Sequence, residues 1–182
     1  VPLIITNERY RFHAKYQNLS DKIKKTFIIL EPSIKNTLPA IILSALRLIE
    51  CGYESEPMLV ASADHFIPDH ENFKKTIKMA TNNMRENDFI LFGKTPTSPS
   101  TDYGYFSVEN ASINEKLTVK EFYEKPDLVN AEKYLKNGFF WNTGIFLMFP
   151  HALINAIKVL DNDLYIHCFN AWENKKIDET FI

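Results

Sequence analysis

The sequence predicts an α/β fold with a mixed, mostly parallel sheet that is flanked by helices. Short apolar runs alternate with amphipathic segments from the start of the chain to about residue 100. Such alternation is typical of βαβ units, whose strands run parallel and are covered on both faces. The rhythm changes after Thr101, where polar and aromatic segments predict a β-rich insertion. We expect one domain over residues 1–182.

The first half of the chain predicts four strands and three helices. The strands are residues 3–6, 27–30, 58–62 and 89–92, and the helices are residues 8–18, 40–50 and 72–85. The second helix has the strongest signals. Asn36 and Thr37 offer side-chain oxygens as a cap, Pro39 stands in the first turn and Gly52 follows the end.

The second half predicts extended segments, two helices and a further strand. Residues 102–109 and 118–125 predict partly antiparallel segments, which a polar loop at residues 110–116 joins. Helices are expected over residues 128–136 and 150–160, and a strand over residues 143–149.

Composition excludes several classes of protein. The chain is 45% hydrophobic and 24% charged with a net charge of −2, so a soluble globular protein is expected, without a nucleic-acid or membrane partner. Cys51 and Cys168 match no metal spacing and predict reduced thiols in a cytoplasmic protein. The absence of a Cys/His zinc pattern, GxSxG, Walker A and GxGxxG leaves zinc catalysis, serine hydrolysis and a Rossmann cofactor site without support.

Polar residues follow several predicted strands, and open α/β sheets bind ligands outside the carboxyl ends of their strands. Asp64 follows the third strand, where its carboxylate either coordinates Mg²⁺ or serves an ordinary turn or helix cap. Asn36 and Thr37 follow the second strand, and either cap the next helix or present polar groups to a base edge.

Each of three further segments has two possible interpretations. Gly104, between two tyrosines, either lets a ligand approach the backbone or forms a bend or bulge. Glu124 and Lys125 either bind sugar hydroxyls and a phosphate, or form an exposed ion pair at a turn. The amide of Asn142, in an apolar context, needs either backbone partners or a ligand.

Six segments in order resemble the sugar-phosphate nucleotidyltransferases, and more narrowly the bacterial mannose-1-phosphate guanylyltransferase (GDP-mannose pyrophosphorylase) family. They are PLIITNERYRF, ILEPSIKNTLPAI, ASADHFIPD, FGKTPTSPSTDYGYF, FYEKPD and FFWNTGIFLM. The resemblance implies a GT-A or Rossmann-like sheet, a cytoplasmic enzyme with GTP and mannose 1-phosphate as substrates, and a homodimer as one candidate assembly.

The resemblance also implies roles for individual residues. The guanine-facing set is Glu31, Asn36 and Thr37, and the sugar-binding set is Gly104, Glu124 and Asn142. Asp64 resembles the Mg²⁺-binding aspartate, and Lys125 resembles the partner of the sugar phosphate. Asp64 and Lys125 are therefore the expected catalytic residues.

The chain also departs from the family pattern. Asp102 stands where the family usually has glycine, and Thr143 where serine is common. The family's N-terminal glycine-rich segment and downstream metal-binding aspartate have no counterpart in residues 1–182. We therefore expect only half of a Mg²⁺ site here, and no activity from residues 1–182 alone.

Three other functions stay open at this point. The first is a pyrophosphorylase for another nucleotide or sugar 1-phosphate. The second is a metal-dependent GT-A glycosyltransferase, which uses a nucleotide-sugar donor and releases no pyrophosphate. The third is a regulatory or assembly module without catalysis.

Overall fold

The computed structural model describes residues 1–19, 26–33, 35–109, 117–178 and 181–182. The chain forms two compact units, one of Val1–Glu56 with Pro150–Ile182 and the other of Pro57–Phe149. The architecture is mixed α/β, which confirms the predicted class. The single domain expected over residues 1–182 stays a prediction.

Every predicted strand and helix is present in the described residues, which also contain one further helix, and the helix predicted over residues 8–18 begins with a 3-10 turn at Glu8–Tyr10. The elements are β1 (Leu3–Asn7), α1 (Arg11–Leu19), β2 (Phe27–Glu31), α2 (Thr37–Glu50), β3 (Met58–Val60), α3 (His70–Asn82), β4 (Phe89–Lys94), β5 (Tyr105–Val108), β6 (Val119–Tyr123), α4 (Leu128–Lys136), β7 (Phe140–Met148), α5 (Pro150–Leu160) and α6 (Asn162–Glu173). The predicted polar loop at residues 110–116 lies outside the described residues. Helix α6 is not among the predictions, although Asp161 caps it by accepting from Leu164 N at 3.0 Å.

The first unit is built around two parallel strands. β1 and β2 pair in register from Leu3 opposite Phe27 to Asn7 opposite Glu31. Ile28 of β2 is buried together with Ala14 of α1 and Phe181. Helix α2 packs against α5 and α6 through a buried stripe that includes Ile42 and Ala45. The parallel pairing that the alternating pattern predicts is confirmed here.

The second unit holds a five-stranded sheet in which β7 is the long central strand. β4 pairs along one edge of β7, while β3 and β5 share the other edge, and β6 pairs with β5. All these pairings are antiparallel. β3 and β4 therefore run parallel to each other, as predicted, but β7 lies between them. The prediction of a mostly parallel sheet is wrong for these pairings because β7, distant in sequence, inserts in the opposite direction.

Side chains on β5, β6 and β7 alternate between two faces of this sheet. One face carries Tyr105, Tyr123 and Trp141, and we name it the aromatic face. The opposite face carries Gly104, Glu124 and Asn142, and we name it the glycine face. Helix α4 covers the aromatic face, where the rings of Tyr123 and Tyr134 stack with their centroids 4.8 Å apart.

Helices of the described residues are too short or too polar to cross a membrane.

Candidate functional site

The carboxyl ends of β3 and β4 face the same way in the sheet of the second unit. β3 ends with Val60 opposite Phe146, and β4 ends with Lys94 opposite Trp141. Because both strands run antiparallel to β7, their carboxyl ends point towards its amino end. The chain beyond β3, which leads to Asp64, therefore starts out along β7 in the direction of its Asn142 end.

Gly104, Glu124 and Asn142 come together on the glycine face. Gly104 is buried, and its carbonyl accepts from Asn142 N at 2.8 Å. A Cβ added to Gly104 would lie 2.7 Å from Glu124 Oε2, 3.0 Å from Phe122 Cζ and 3.5 Å from Asn142 Cβ. Since only glycine leaves this space open, the backbone forms a floor with a carboxylate and an amide beside it. The three residues of the implied sugar set are thus neighbours, although no bend at Gly104 requires a glycine φ.

The carboxamide oxygen of Asn142 has a hydrogen-bond partner, and its nitrogen has none among the described residues. Its Oδ1 accepts from Gly144 N at 3.1 Å. In the part of the chain that the structure describes, its Nδ2 donates to no acceptor, and Asn142 is half-buried. The backbone partner in the first interpretation is therefore present, and a donor is left for a ligand.

Glu124 and Lys125 directly follow β6 and are both exposed. Among the described residues neither forms an ion pair, so the exposed ion pair offered as an alternative is not observed. Lys125 has a φ of 42°, in the left-handed region that costs a residue with a side chain about 1 kcal/mol. Adjacent opposite charges without mutual pairing suit a ligand that carries both hydroxyls and a phosphate.

Asp64 lies in a turn after β3 and is exposed. The helix-capping alternative is excluded, because α3 takes its cap from Asp69, whose side chain accepts from Asn72 N at 2.9 Å. The described residues contain no cluster of three or more His, Cys, Asp or Glu side chains that could hold a metal. One free carboxylate still suits Mg²⁺, which is bound through one or two carboxylates, waters and substrate phosphates. Asp64 therefore fits as a single ligand, not as a complete site.

The implied guanine-facing residues lie in the first unit. Glu31 ends β2 and is half-buried, and burial raises the pKa of its carboxyl above the ordinary value. Asn36 and Thr37 are exposed at the start of α2. Asn36 stands at the capping position, yet its side chain makes no capping hydrogen bond.

The prediction that the Asn36 side chain caps α2 through a hydrogen bond is therefore wrong. A capping residue normally has extended backbone, which brings its side chain over the first helical N–H groups. Asn36 instead has a φ of 65°. Among the described residues other than glycine, only Asn36 and Lys125 have a positive φ, and the resemblance implies a ligand-binding role for each of them. Strained backbone of this kind concentrates at functional sites.

Two residues near the cluster of Gly104, Glu124 and Asn142, which we name the glycine-face cluster, have no predicted role from the sequence. Phe122 places its ring 3.0 Å from the position of a Gly104 Cβ. Phe122 lies two residues before Glu124 in the extended segment predicted over residues 118–125, and this spacing is a usable signal because residues two apart in an extended segment share a face. Thr143 donates through Oγ1 to Phe92 O at 2.6 Å, a contact that depends on the pairing of β4 with β7 and has no local signal.

The chain is similar in sequence to known nucleotidyl transferases. The family model described as "Nucleotidyl transferase" matches residues 1–182. A mannose-1-phosphate guanylyltransferase of Salmonella montevideo is 38% identical over the whole chain, and the alginate biosynthesis protein AlgA of Pseudomonas aeruginosa is 33% identical over 97% of it. The chain spans 39% and 37% of the length of these two relatives.

Among solved structures, that of a mannose-6-phosphate isomerase from Helicobacter pylori superposes with a TM-score of 0.84 at 30% identity. The match covers 96% of this chain and 65% of that protein.

Proposed function

We propose that this chain, which belongs to the nucleotidyl transferase family, is part of an enzyme that joins GTP to mannose 1-phosphate and releases pyrophosphate. The geometry that carries the proposal is the glycine-face cluster. A carboxylate from Glu124 and an amide N–H from Asn142 flank the bare backbone of Gly104, and all three lie in one compact unit. A polyol needs such an acceptor and donor at close quarters. The guanylyltransferase name of the Salmonella relative supports the choice of substrates.

The proposed reaction is an in-line displacement at phosphorus. An oxygen of the mannose 1-phosphate attacks the α-phosphorus of GTP, and the bond from that phosphorus to the bridging oxygen of the β-phosphate breaks. GDP-mannose and pyrophosphate are the products. The attacking phosphate is already ionised at neutral pH, so no strong general base and no covalent enzyme intermediate are needed. Positioning and charge neutralisation then supply the catalysis.

Each residue of the site has a proposed task. Glu124 and Asn142 orient the sugar hydroxyls above Gly104, and Lys125 binds the phosphate that attacks. In the first unit, the set proposed to face guanine is Glu31, Asn36 and Thr37. Asp64 would supply one carboxylate ligand to Mg²⁺, which when bound neutralises charge on phosphate oxygens.

The metal-binding role is tested by Asp64→Asn in the full-length protein. We expect turnover to fall by at least about 100-fold, because a neutral amide is a much poorer Mg²⁺ ligand. The thermal midpoint should not change, since Asp64 is exposed in a turn. Asp69→Asn, which alters a helix cap in the same unit, is the control. Near-normal turnover of Asp64→Asn at saturating Mg²⁺ would reject the role.

The sugar-binding role is tested by Glu124→Ala. The KM for mannose 1-phosphate should rise about 10-fold or more, because hydrogen bonds to a charged group are lost, while the KM for GTP changes little. Equal effects on the two KM values would argue against the assignment.

A competition assay with GTP, ATP, UTP and dTTP decides the base, and absence of pyrophosphate release with every nucleotide would favour the glycosyltransferase alternative.

A further inference from the structure

The pairing of β4 with β7 is interrupted beside the site. Leu91 of β4 pairs with Phe146, and Gly93 pairs with Asn142, so that Phe92 alone faces the β7 residues from 143 to 145. Extra residues on one strand form a bulge, and bulges redirect side chains next to active sites. The ladder hydrogen bonds are necessarily disturbed at this point, and a side chain takes their place.

The hydroxyl of Thr143 holds the bulge together. Its Oγ1 donates to Phe92 O at 2.6 Å and accepts from Ile145 N at 3.3 Å. A half-buried hydroxyl thus joins the two strands and the two ends of the bulge at once. Gly144, in the middle of the bulge, has a φ of 70°, which glycine adopts without strain.

The bulge determines which end of the Asn142 amide faces outwards. Gly144 N, 3.1 Å away, can only donate, so the amide atom that faces it must be Oδ1. Nδ2 is then directed away from the bulge, and none of the described residues accepts from it. The site therefore presents Asn142 as a donor and Glu124 as an acceptor. This pair matches two sugar hydroxyls of which one accepts and the other donates.

We propose that Thr143 is a positioning residue for the sugar phosphate, which acts by holding the bulge that orients the Asn142 amide. The proposal rests on the proposed function of the same site. A purely structural Thr143 would instead affect stability and both substrates alike. Thr81 offers a matched control, because its half-buried hydroxyl in α3 also donates to a backbone oxygen, that of Ile77, at 2.9 Å.

The test measures kcat, both KM values and the thermal midpoint for Thr143→Val, Thr143→Ser and Thr81→Val in the full-length protein. Thr143→Val should raise the KM for mannose 1-phosphate about 10-fold, the equivalent of one lost hydrogen bond, and the KM for GTP less than about 2-fold. Thr143→Ser should restore both values, since it retains the hydroxyl. Thr81→Val should lower the midpoint without a change in either KM.

A double-mutant cycle with Asn142→Ala tests whether Thr143 acts through Asn142. In the Asn142→Ala background, Thr143→Val should have no further effect on the KM for mannose 1-phosphate. Additive effects, or equal changes in the two KM values, would overturn the inference.

If Thr143→Val is insoluble, Thr143→Cys, which keeps a similar volume and only weakens the hydrogen bond, takes its place. A wild-type enzyme that forms no GDP-mannose rejects the proposed function itself, and with it the inference. A wild-type enzyme that is active beside an unaffected Thr143→Val rejects the inference alone.

Discussion

The aromatic face and the glycine face are formed by the same three strands, but helix α4 covers the first and polar side chains are accessible on the second. On the aromatic face, Tyr105 and Trp141 are buried and pack with Tyr134 of α4. On the glycine face, Glu124 is exposed, and the Asn142 Nδ2 has no acceptor among the described residues. Strict alternation along a strand lets a protein stabilise a sheet through one face and leave the other for a ligand. Changes on the aromatic face should therefore affect stability alone, whereas changes beside Glu124 and Asn142 should affect substrate binding.

Tyr134→Ala should give the largest effect and should act on stability alone. The ring of Tyr134 stacks on Tyr123 and on Phe139, each at 4.8 Å, so its loss leaves a cavity under the sheet. We expect chemical denaturation to show a loss of about 3–5 kcal/mol in the free energy of unfolding. At a temperature where the variant is folded, the KM for mannose 1-phosphate should be that of the wild type. A large shift in this KM would mean that the two faces are not independent.

Gly93→Ala should come second and tests a glycine that serves packing on the glycine face. A Cβ there would lie 2.5 Å from Phe106 Cζ and 3.1 Å from Phe140 Cβ. The Phe106 ring is buried and cannot move aside freely, so overpacking should cost about 1–3 kcal/mol of unfolding free energy. Denaturation of Gly93→Ala and of the wild type side by side measures this. A stable Gly93→Ala would show that the ring has room to move.

Tyr105→Phe isolates one hydrogen-bonded group of the aromatic face. The Tyr105 hydroxyl donates to Ser100 O at 3.0 Å and accepts from Ser100 N at 2.9 Å. Its removal leaves both Ser100 groups without this partner and should cost about 1–2 kcal/mol of unfolding free energy. Tyr103→Phe, at an exposed ring, is the control and should change stability little. Loss of stability in both variants alike would point to a general effect of the segment.

Much of this arrangement is predictable from local sequence, and the rest depends on pairing between distant residues. Residue type at strand ends indicates Asp64, Gly104 and Glu124 as candidates, since each follows or precedes an apolar run. That Gly104 meets Asn142 is not predictable in this way. The contact requires β7 to enter the sheet beside β5, and a strand carries no local signal of its partner.

Backbone conformation sets a second limit on prediction. Asn36 has the residue type of a helix cap and stands at the capping position, yet its left-handed φ removes the hydrogen bond. Propensity describes what asparagine does on average, and tertiary contacts decide the individual case. The bulge at Thr143 is similar, because a threonine within an apolar strand gives no sign of the irregular register that it bridges.

Gly104→Ala should give the smallest change in stability, and it sharpens the contrast with Gly93. Gly104 has no left-handed φ, so alanine can adopt its backbone conformation. The new Cβ would lie 2.7 Å from Glu124 Oε2 and 3.0 Å from Phe122 Cζ, and both atoms end exposed side chains that can turn away. We expect the free energy of unfolding to change by less than about 0.5 kcal/mol, because rotamer changes of exposed side chains cost little and alanine restricts the unfolded chain.

The function should respond more strongly to this change than the fold does. Displacement of the Glu124 carboxylate, together with a methyl group on the floor of the site, should raise the KM for mannose 1-phosphate about 3- to 10-fold. The KM for GTP should stay within about 2-fold of the wild-type value, because the residues proposed to face guanine belong to the first unit. Steady-state kinetics and denaturation of Gly104→Ala and Gly93→Ala together make the comparison. A Gly104→Ala variant that loses stability and keeps its KM would mean that Gly104, like Gly93, is there for packing.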